Sequence, residues 1–249
     1  METGKADRLI DIGVTLICWC YFILAFLLFF SPFYLAAARN SSPEHRFQRL
    51  NRVFYGGFFA LLRRITPRQQ WSIDPEIAGI RSSVVVCNHV SYLDPILLIS
   101  LLGRARTIVK PLFFSVPVFG WILRRSGYFP ATSSGPLAGL MLMQMETMEQ
   151  FLREGGNLFI FPQGTRSRDG SIGVLDEGAF KIARYCKAPV RVLCIRNTER
   201  LFTPGKFFFF TRRPNRISVR ILDTILPGRG LSELKVRVRQ VLEGCTREA

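Results

Sequence analysis

Ser83-Val84-Val85-Val86-Cys87-Asn88-His89-Val90-Ser91-Tyr92-Leu93-Asp94-Pro95 is the stretch on which the reading of this chain turns. Ser83 to Cys87 is a short, largely β-branched run and reads as a strand. Pro95 marks the first turn of a following helix, where its missing N–H costs nothing. A strand turning directly into a helix is the repeating unit of an α/β fold. The same turn sets His89 at the strand's end, five residues before Asp94, whose carboxylate can reach back to one imidazole nitrogen. With that nitrogen's proton held, the other is a free acceptor for a hydroxyl proton. The plainer alternative makes Asp94 a helix cap and His89 a satisfied loop histidine.

Working outward, the pattern repeats. Strands are expected at Trp71 to Ile73, Ser83 to Cys87, Thr107 to Lys110, Tyr128 to Phe129, Leu158 to Phe161, Val190 to Ile195 and Ile217 to Ile221. Helices are expected at Pro95 to Leu102, Val116 to Arg124, Pro136 to Glu154, Glu177 to Tyr185 and Ser232 to Glu243. In the third, Leu140, Met141, Met145, Met148, Phe151 and Leu152 recur at helical spacing before Gly155-Gly156 ends it. The expected fold is α/β, a mixed central sheet flanked by helices, preceded by an N-terminal membrane-anchoring helical hairpin.

That hairpin is residues 1–70, and residues 71–249 form the second domain. From Ile12 to Ala38 no residue is charged, which exceeds the ~20 positions a helix needs to cross a bilayer and is too long for a signal peptide. Arg39, Arg46, Arg49 and Arg52 follow it, so the positive-inside rule sets the rest of the chain on the cytoplasmic side. His45 to Ile65 alternates basic residues with apolar ones and fits a helix lying on the membrane or one packed on the domain. Phe207 to Phe210, between Lys206 and Arg212-Arg213, reads either as an interfacial wedge or as a buried strand.

A formal net charge of +16 requires acidic partners. No nucleic-acid motif accompanies it, and nucleic-acid binding would leave the apolar N-terminus unexplained. Six cysteines without a C-x-x-C pair, and two histidines, support no metal site; the cysteines read as buried thiols of a reducing compartment.

A second cluster, Phe161-Pro162-Gln163-Gly164-Thr165-Arg166-Ser167, follows another apolar run and offers a glycine, hydroxyls and a guanidinium to an anionic group. An ordinary turn at Gly164 and a surface ion pair at Arg166 are the bland readings.

Asn-His-x-x-x-x-Asp-Pro resembles the first motif of the glycerolipid acyltransferase family, which includes the 1-acylglycerol-3-phosphate acyltransferases. Phe161 to Ser167, about 70 residues further on, resembles that family's F-P-E-G-T-R-S motif. Ala188-Pro189-Val190 is similar to its fourth block. The resemblance implies a membrane-bound enzyme that moves a fatty acyl group from an acyl-CoA or acyl carrier protein thioester to the hydroxyl of lysophosphatidic acid or a related lysolipid. It implies His89 and Asp94 as the catalytic pair and Asn88, Gln163, Gly164, Thr165, Arg166 and Ser167 at the substrate. No cofactor beyond the thioester and no covalent acyl-enzyme is implied; a serine nucleophile would ask for G-x-S-x-G, which is absent. Backbone N–H groups around Asn88 or Gly164 are the expected oxyanion donors.

Two positions depart from the pattern. Gln163 stands where the family has Glu, and Ser133 where its second motif has Arg. They keep a lyso-amino-lipid in view as acceptor, and a noncatalytic lipid-binding adaptor of the same fold as a competing class.

Overall fold

A computed structural model describes residues 4–132, 134–164, 166 and 172–247. Its N-terminal helical stretch, Lys5–Ala38, comprises α1 (Lys5–Cys20), a π-helical segment (Tyr21–Phe30) and α2 (Ser31–Ala38). Helix α3 (Pro43–Ile65) runs back along it, with Tyr21 Oη donating to the Phe54 carbonyl and Tyr34 Oη to Asn51 Oδ1. There follow β1 (Gln69–Ile73), β2 (Val84–Cys87), α4 (Leu93–Leu101), β3 (Ala105–Val109), α5 (Phe119–Arg125) and β4 (Phe129–Pro130). The remainder is α6 (Ala138–Glu146), α7 (Met148–Arg153), β5 (Asn157–Ile160), α8 (Gly178–Tyr185), β6 (Val190–Arg196), α9 (Thr198–Leu201), β7 (Asn215–Ile225) and α10 (Leu231–Arg247).

Among the described residues the seven strands form one sheet, ordered β1-β7-β6-β2-β5-β3-β4. Only β6 and β7 pair antiparallel, so the sheet is mixed, as expected. β2 lies near the centre, buried on both faces, and its unbroken apolar run is what such a position demands. Alternate residues part to the two sides. Val85 and Cys87 join Phe58, Phe59 and Leu62 of α3, Leu97 and Leu98 of α4, and Val14 and Cys18 of α1. Val84 and Val86 join Phe151 of α7, Phe180 of α8 and Val238 and Leu242 of α10.

One apolar cluster therefore runs across residue 70. Helix α3, open between membrane and domain in the sequence, buries Phe47, Phe54, Phe58, Phe59 and Leu62 inside the protein. A polar tie reinforces this: Arg106 of β3, nearly fully buried, donates from Nε to Glu44 Oε1 and from Nη2 to Glu44 Oε2, both at 2.8 Å.

Three expectations change. The helix expected over Pro136 to Glu154 divides into α6 and α7 at Thr147. Arg106 Nη1 donates to Thr147 Oγ1 at 2.9 Å and reaches the Gln144 carbonyl, so a buried guanidinium draws off helix acceptors there. The helix expected from Val116 starts at Phe119, because Pro117 and Val118 form a tight turn with Val118 at φ 62°. Finally, Cys194 and Cys245 form a disulfide with Cα atoms 6.1 Å apart, instead of remaining thiols. Leu193 and Ile195 turn into the first cluster, so Cys194 between them faces the opposite side of the sheet, where Leu234, Val238 and Leu242 of α10 pack.

The Phe207 to Phe210 segment divides between its two readings. Phe209 is buried in the first cluster, while Phe207, Phe208 and Phe210 are exposed, Phe207 stacking on Trp19 of α1 at 5.2 Å.

Candidate active site

Strands β2 and β5 are parallel neighbours, with Val84 opposite Leu158 and Val86 opposite Ile160. Their carboxyl ends emerge side by side, the usual place for ligands in such sheets. The two sequence clusters are the continuations of these strands, and this pairing unites them.

At the end of β2, Asn88 is buried, donates from Nδ2 to the Ile195 carbonyl and accepts from the Ile195 N–H, both at 2.8 Å. One donor and one acceptor site of its amide are thereby taken up on β6, and Asn88 clamps two strand ends.

The chain turns next to His89, whose Nδ1 lies 2.9 Å from Asp94 Oδ2. The same oxygen accepts the N–H groups of Val90 and Ser91, each at 2.7 Å, and Asp94 Oδ1 accepts from Thr198 Oγ1 at 2.6 Å. The aspartate side chain is 0% exposed and the histidine's 15%. A carboxylate so placed accepts hydrogen bonds only, so Nδ1 carries a proton, and in the neutral imidazole Nε2 is then the acceptor nitrogen. Helix α4 begins at Leu93, which sets Asp94 in its first turn. Its carboxylate ties the histidine to the turn that precedes the helix; the helix cap is Tyr92, with no side-chain cap bond, so the reading of Asp94 as a helix cap is not met.

Phe161 stacks on His89 with ring centroids 4.3 Å apart and fixes one face of the imidazole. Beyond it, Gly164 at φ 65° makes the left-handed turn that favours glycine, its N–H donating to the Phe161 carbonyl. Arg166 then folds back over Tyr92, its guanidinium carbon 3.5 Å from the ring centroid. The second cluster is thus laid across the turn that carries the first. Gln163 is half-buried beside it. Thr165 and Ser167, expected at the substrate, and Ser133 lie outside the described residues.

The backbone donors expected for an oxyanion are bonded within the protein at Val90, Ser91 and Gly164. Arg124 of α5 donates to the Phe114 carbonyl and lies over that ring. Cys87 is no competing nucleophile, since burial and then the Asp94 charge push its thiol well above the usual range.

Two residues of this arrangement went unassigned in the sequence. Phe161 sits in a quoted cluster, but nothing local marks its ring as stacked on a histidine. Thr198, reaching Asp94 from the far end of β6, has no local signal at all.

Comparison with known proteins points to one family. The sequence profile of the Acyltransferase family matches residues 73–196, which include His89, Asp94, Phe161 to Arg166 and β6. The chain is 34% identical over 122 residues to the chloroplastic 1-acyl-sn-glycerol-3-phosphate acyltransferase BAT2 of Brassica napus, covering 49% of this chain and 35% of that one. It is 32% identical over 123 residues to the chloroplastic 1-acyl-sn-glycerol-3-phosphate acyltransferase LPAT1 of Arabidopsis thaliana, covering 49% and 34%. With the human 1-acyl-sn-glycerol-3-phosphate acyltransferase beta it shares 29% identity over 158 residues, 63% of this chain and 55% of that one. The matched stretch spans about a third of the length of the two plant relatives. The crystal structure of the 1-acyl-sn-glycerophosphate (LPA) acyltransferase PlsC from Thermotoga maritima superposes with a TM-score of 0.71 at 19% identity, covering 96% of each chain, and shares the fold.

Proposed function

Because this chain belongs to the glycerolipid acyltransferase family, we propose that it transfers a fatty acyl group from an acyl-CoA or acyl carrier protein thioester to the hydroxyl of lysophosphatidic acid or a related lysolipid. The observation that carries this reading is the 2.9 Å contact of His89 Nδ1 with a fully buried Asp94, which leaves Nε2 as acceptor beside the Arg166 loop. Nε2 takes the acceptor's hydroxyl proton as its oxygen attacks the thioester carbonyl carbon. The tetrahedral intermediate expels the thiolate, the carbon–sulfur bond breaks, and the imidazolium returns the proton to sulfur. Asp94 stabilises the imidazolium without taking the proton. Arg166, held over Tyr92, supplies a cation for the acceptor's phosphate.

The acceptor lives in a bilayer, and the N-terminal helix supports residence there. One face of α1 packs inward through Val14, Thr15 and Cys18, while Leu16, Ile17, Ile23, Leu24, Leu27, Leu28 and Phe29 face outward and exposed along the helical stretch. Only 17% of its most apolar window is buried. We read this outward face as lying in one leaflet, with the catalytic domain on the cytoplasmic side where the positive-inside rule sets it.

The test is acyl transfer by detergent-purified protein from acyl-CoA and acyl-acyl carrier protein to lysophosphatidic acid, other lysophospholipids and lyso-amino-lipids, beside folded His89→Ala. Transfer to lysophosphatidic acid that the variant loses by ~10²-fold or more supports the reading. Transfer confined to a lyso-amino-lipid reassigns the acceptor, and no transfer to any member of the panel leaves the noncatalytic adaptor.

A further inference from the structure

The buried carboxylate of Asp94 is held unevenly. Oδ2 accepts from His89, Val90 and Ser91, all within its own turn. Oδ1 accepts from the Thr198 hydroxyl at 2.6 Å, which comes from a segment 104 residues away. A buried carboxylate oxygen without a donor is costly, and a carboxylate held through one oxygen alone can rotate about its terminal torsion. The Thr198 bond fixes that torsion and so fixes the direction in which Oδ2 meets Nδ1.

Thr198 is placed by contacts that do not involve Asp94. At the end of β6 the chain turns through Asn197 at φ 64°, whose Nδ2 donates to the Arg216 carbonyl and whose own carbonyl accepts from Asn215 Nδ2. The Asn88–Ile195 pair locks the ends of β2 and β6 together three residues earlier. Ser91 Oγ, donating to the Phe202 carbonyl at 2.8 Å, closes the other side. Thr198 is fully buried, at the first position of α9, where a threonine hydroxyl has local backbone acceptors to choose from. It is directed at Asp94 instead.

We propose that Thr198 is a positioning residue for acyl transfer: its hydroxyl orients the Asp94 carboxylate that holds His89 in its base tautomer. The proposal rests on the His89–Asp94 reading above. Groups that titrate around the carboxylate are Cys87 on β2, Glu199 on α9 and His89 itself, with Arg166 across the turn on Tyr92.

Thr198→Val keeps the shape and removes the hydroxyl; Thr198→Ser keeps the hydroxyl. With lysophosphatidic acid and an acyl-CoA, T198V is expected to lose about tenfold or more in kcat with KM within about twofold, and T198S to recover to within about threefold of wild type. The second readout is the His89 Nδ1–H proton resonance, observed in a His45→Gln background where His89 is the remaining histidine. It is expected to move in T198V and return in T198S. Wild-type kcat with an unmoved resonance in T198V overturns the proposal, as do Val and Ser variants that are equally slow. If T198V does not fold, Thr198→Ala against Thr198→Ser makes the same comparison. His89→Ala is run alongside: activity retained there defeats the dyad reading itself, while the resonance still decides whether Thr198 orients Asp94.

Discussion

Arg106 and Glu44 form a two-pronged pair, both hydrogen bonds 2.8 Å long, joining strand β3 to the first turn of α3. Arg106 also stacks over Phe151 at 4.2 Å and reaches Thr147, so one buried cation organises three segments. Glu44→Gln leaves that cation without its counter-charge and is expected to cost about 3 kcal/mol of stability. The double variant Glu44→Gln with Arg106→Met, which removes the stranded charge, is expected to regain part of the loss. Thermal unfolding in detergent measures both.

The stack of Arg166 on Tyr92 predicts an effect on acceptor binding. Tyr92→Ala frees the guanidinium and is expected to raise KM for lysophosphatidic acid by about two- to fivefold, a cation–π contact on an exposed ring being worth ~0.5 to 1 kcal/mol. Tyr92→Phe retains the ring and is expected to stay near wild type. Steady-state kinetics at fixed acyl-CoA would expose a wrong assignment if Ala and Phe variants behaved alike.

Glu199 carries a pH dependence. Burial first, and then the charge of Asp94, push its carboxyl above the usual range, and among the described residues its Oε2 has no hydrogen-bond partner. A carboxyl with a raised folded-state pKa favours the fold while protonated, and that contribution is lost as pH rises through the folded value. Glu199→Gln is therefore expected to raise Tm at neutral pH and to leave it unchanged below the unfolded carboxyl value of about 4.3. Melting curves at the two pH values decide it.

The Cys194–Cys245 bridge closes a sequence separation of 51 residues and pins α10 to β6. Constraint of the unfolded chain by a loop of that length corresponds to about 4 kcal/mol. Reductant is expected to lower Tm in the wild type and to have no further effect in Cys245→Ser. A melt that ignores reductant in both would mean the sulfurs are not joined in solution.

Much of the fold was legible because its signals are local. Each of the seven expected strands has its counterpart, since buried strands announce themselves as short β-branched runs. Strand order was not legible: neighbours such as β2 and β6 are brought together by packing over long separations, and no local period records that. The same distinction divides the site. His89 and Asp94 share one turn and could be paired by spacing alone. Asn88 finds Ile195 and Asp94 finds Thr198 across more than a hundred residues, with sequence separations of 107 and 104. The break between α6 and α7 is not legible for a related reason, because a helical repeat does not reveal that a buried arginine from a strand bonds the Gln144 carbonyl and the Thr147 hydroxyl.

Asp11 accepts from the backbone and the hydroxyl of Thr211, and Thr15 Oγ1 accepts from the Phe209 N–H. These bonds stitch the inward face of α1 to the loop that follows α9. A globular body on a slack leash samples every heading; one sewn along its N-terminal helix keeps a single heading, so the His89 turn holds one fixed orientation relative to that helix. Cutting the N-terminal helix away to obtain a soluble variant would strip partners from Phe209, Thr211 and the α3 core, and is therefore a route to aggregation.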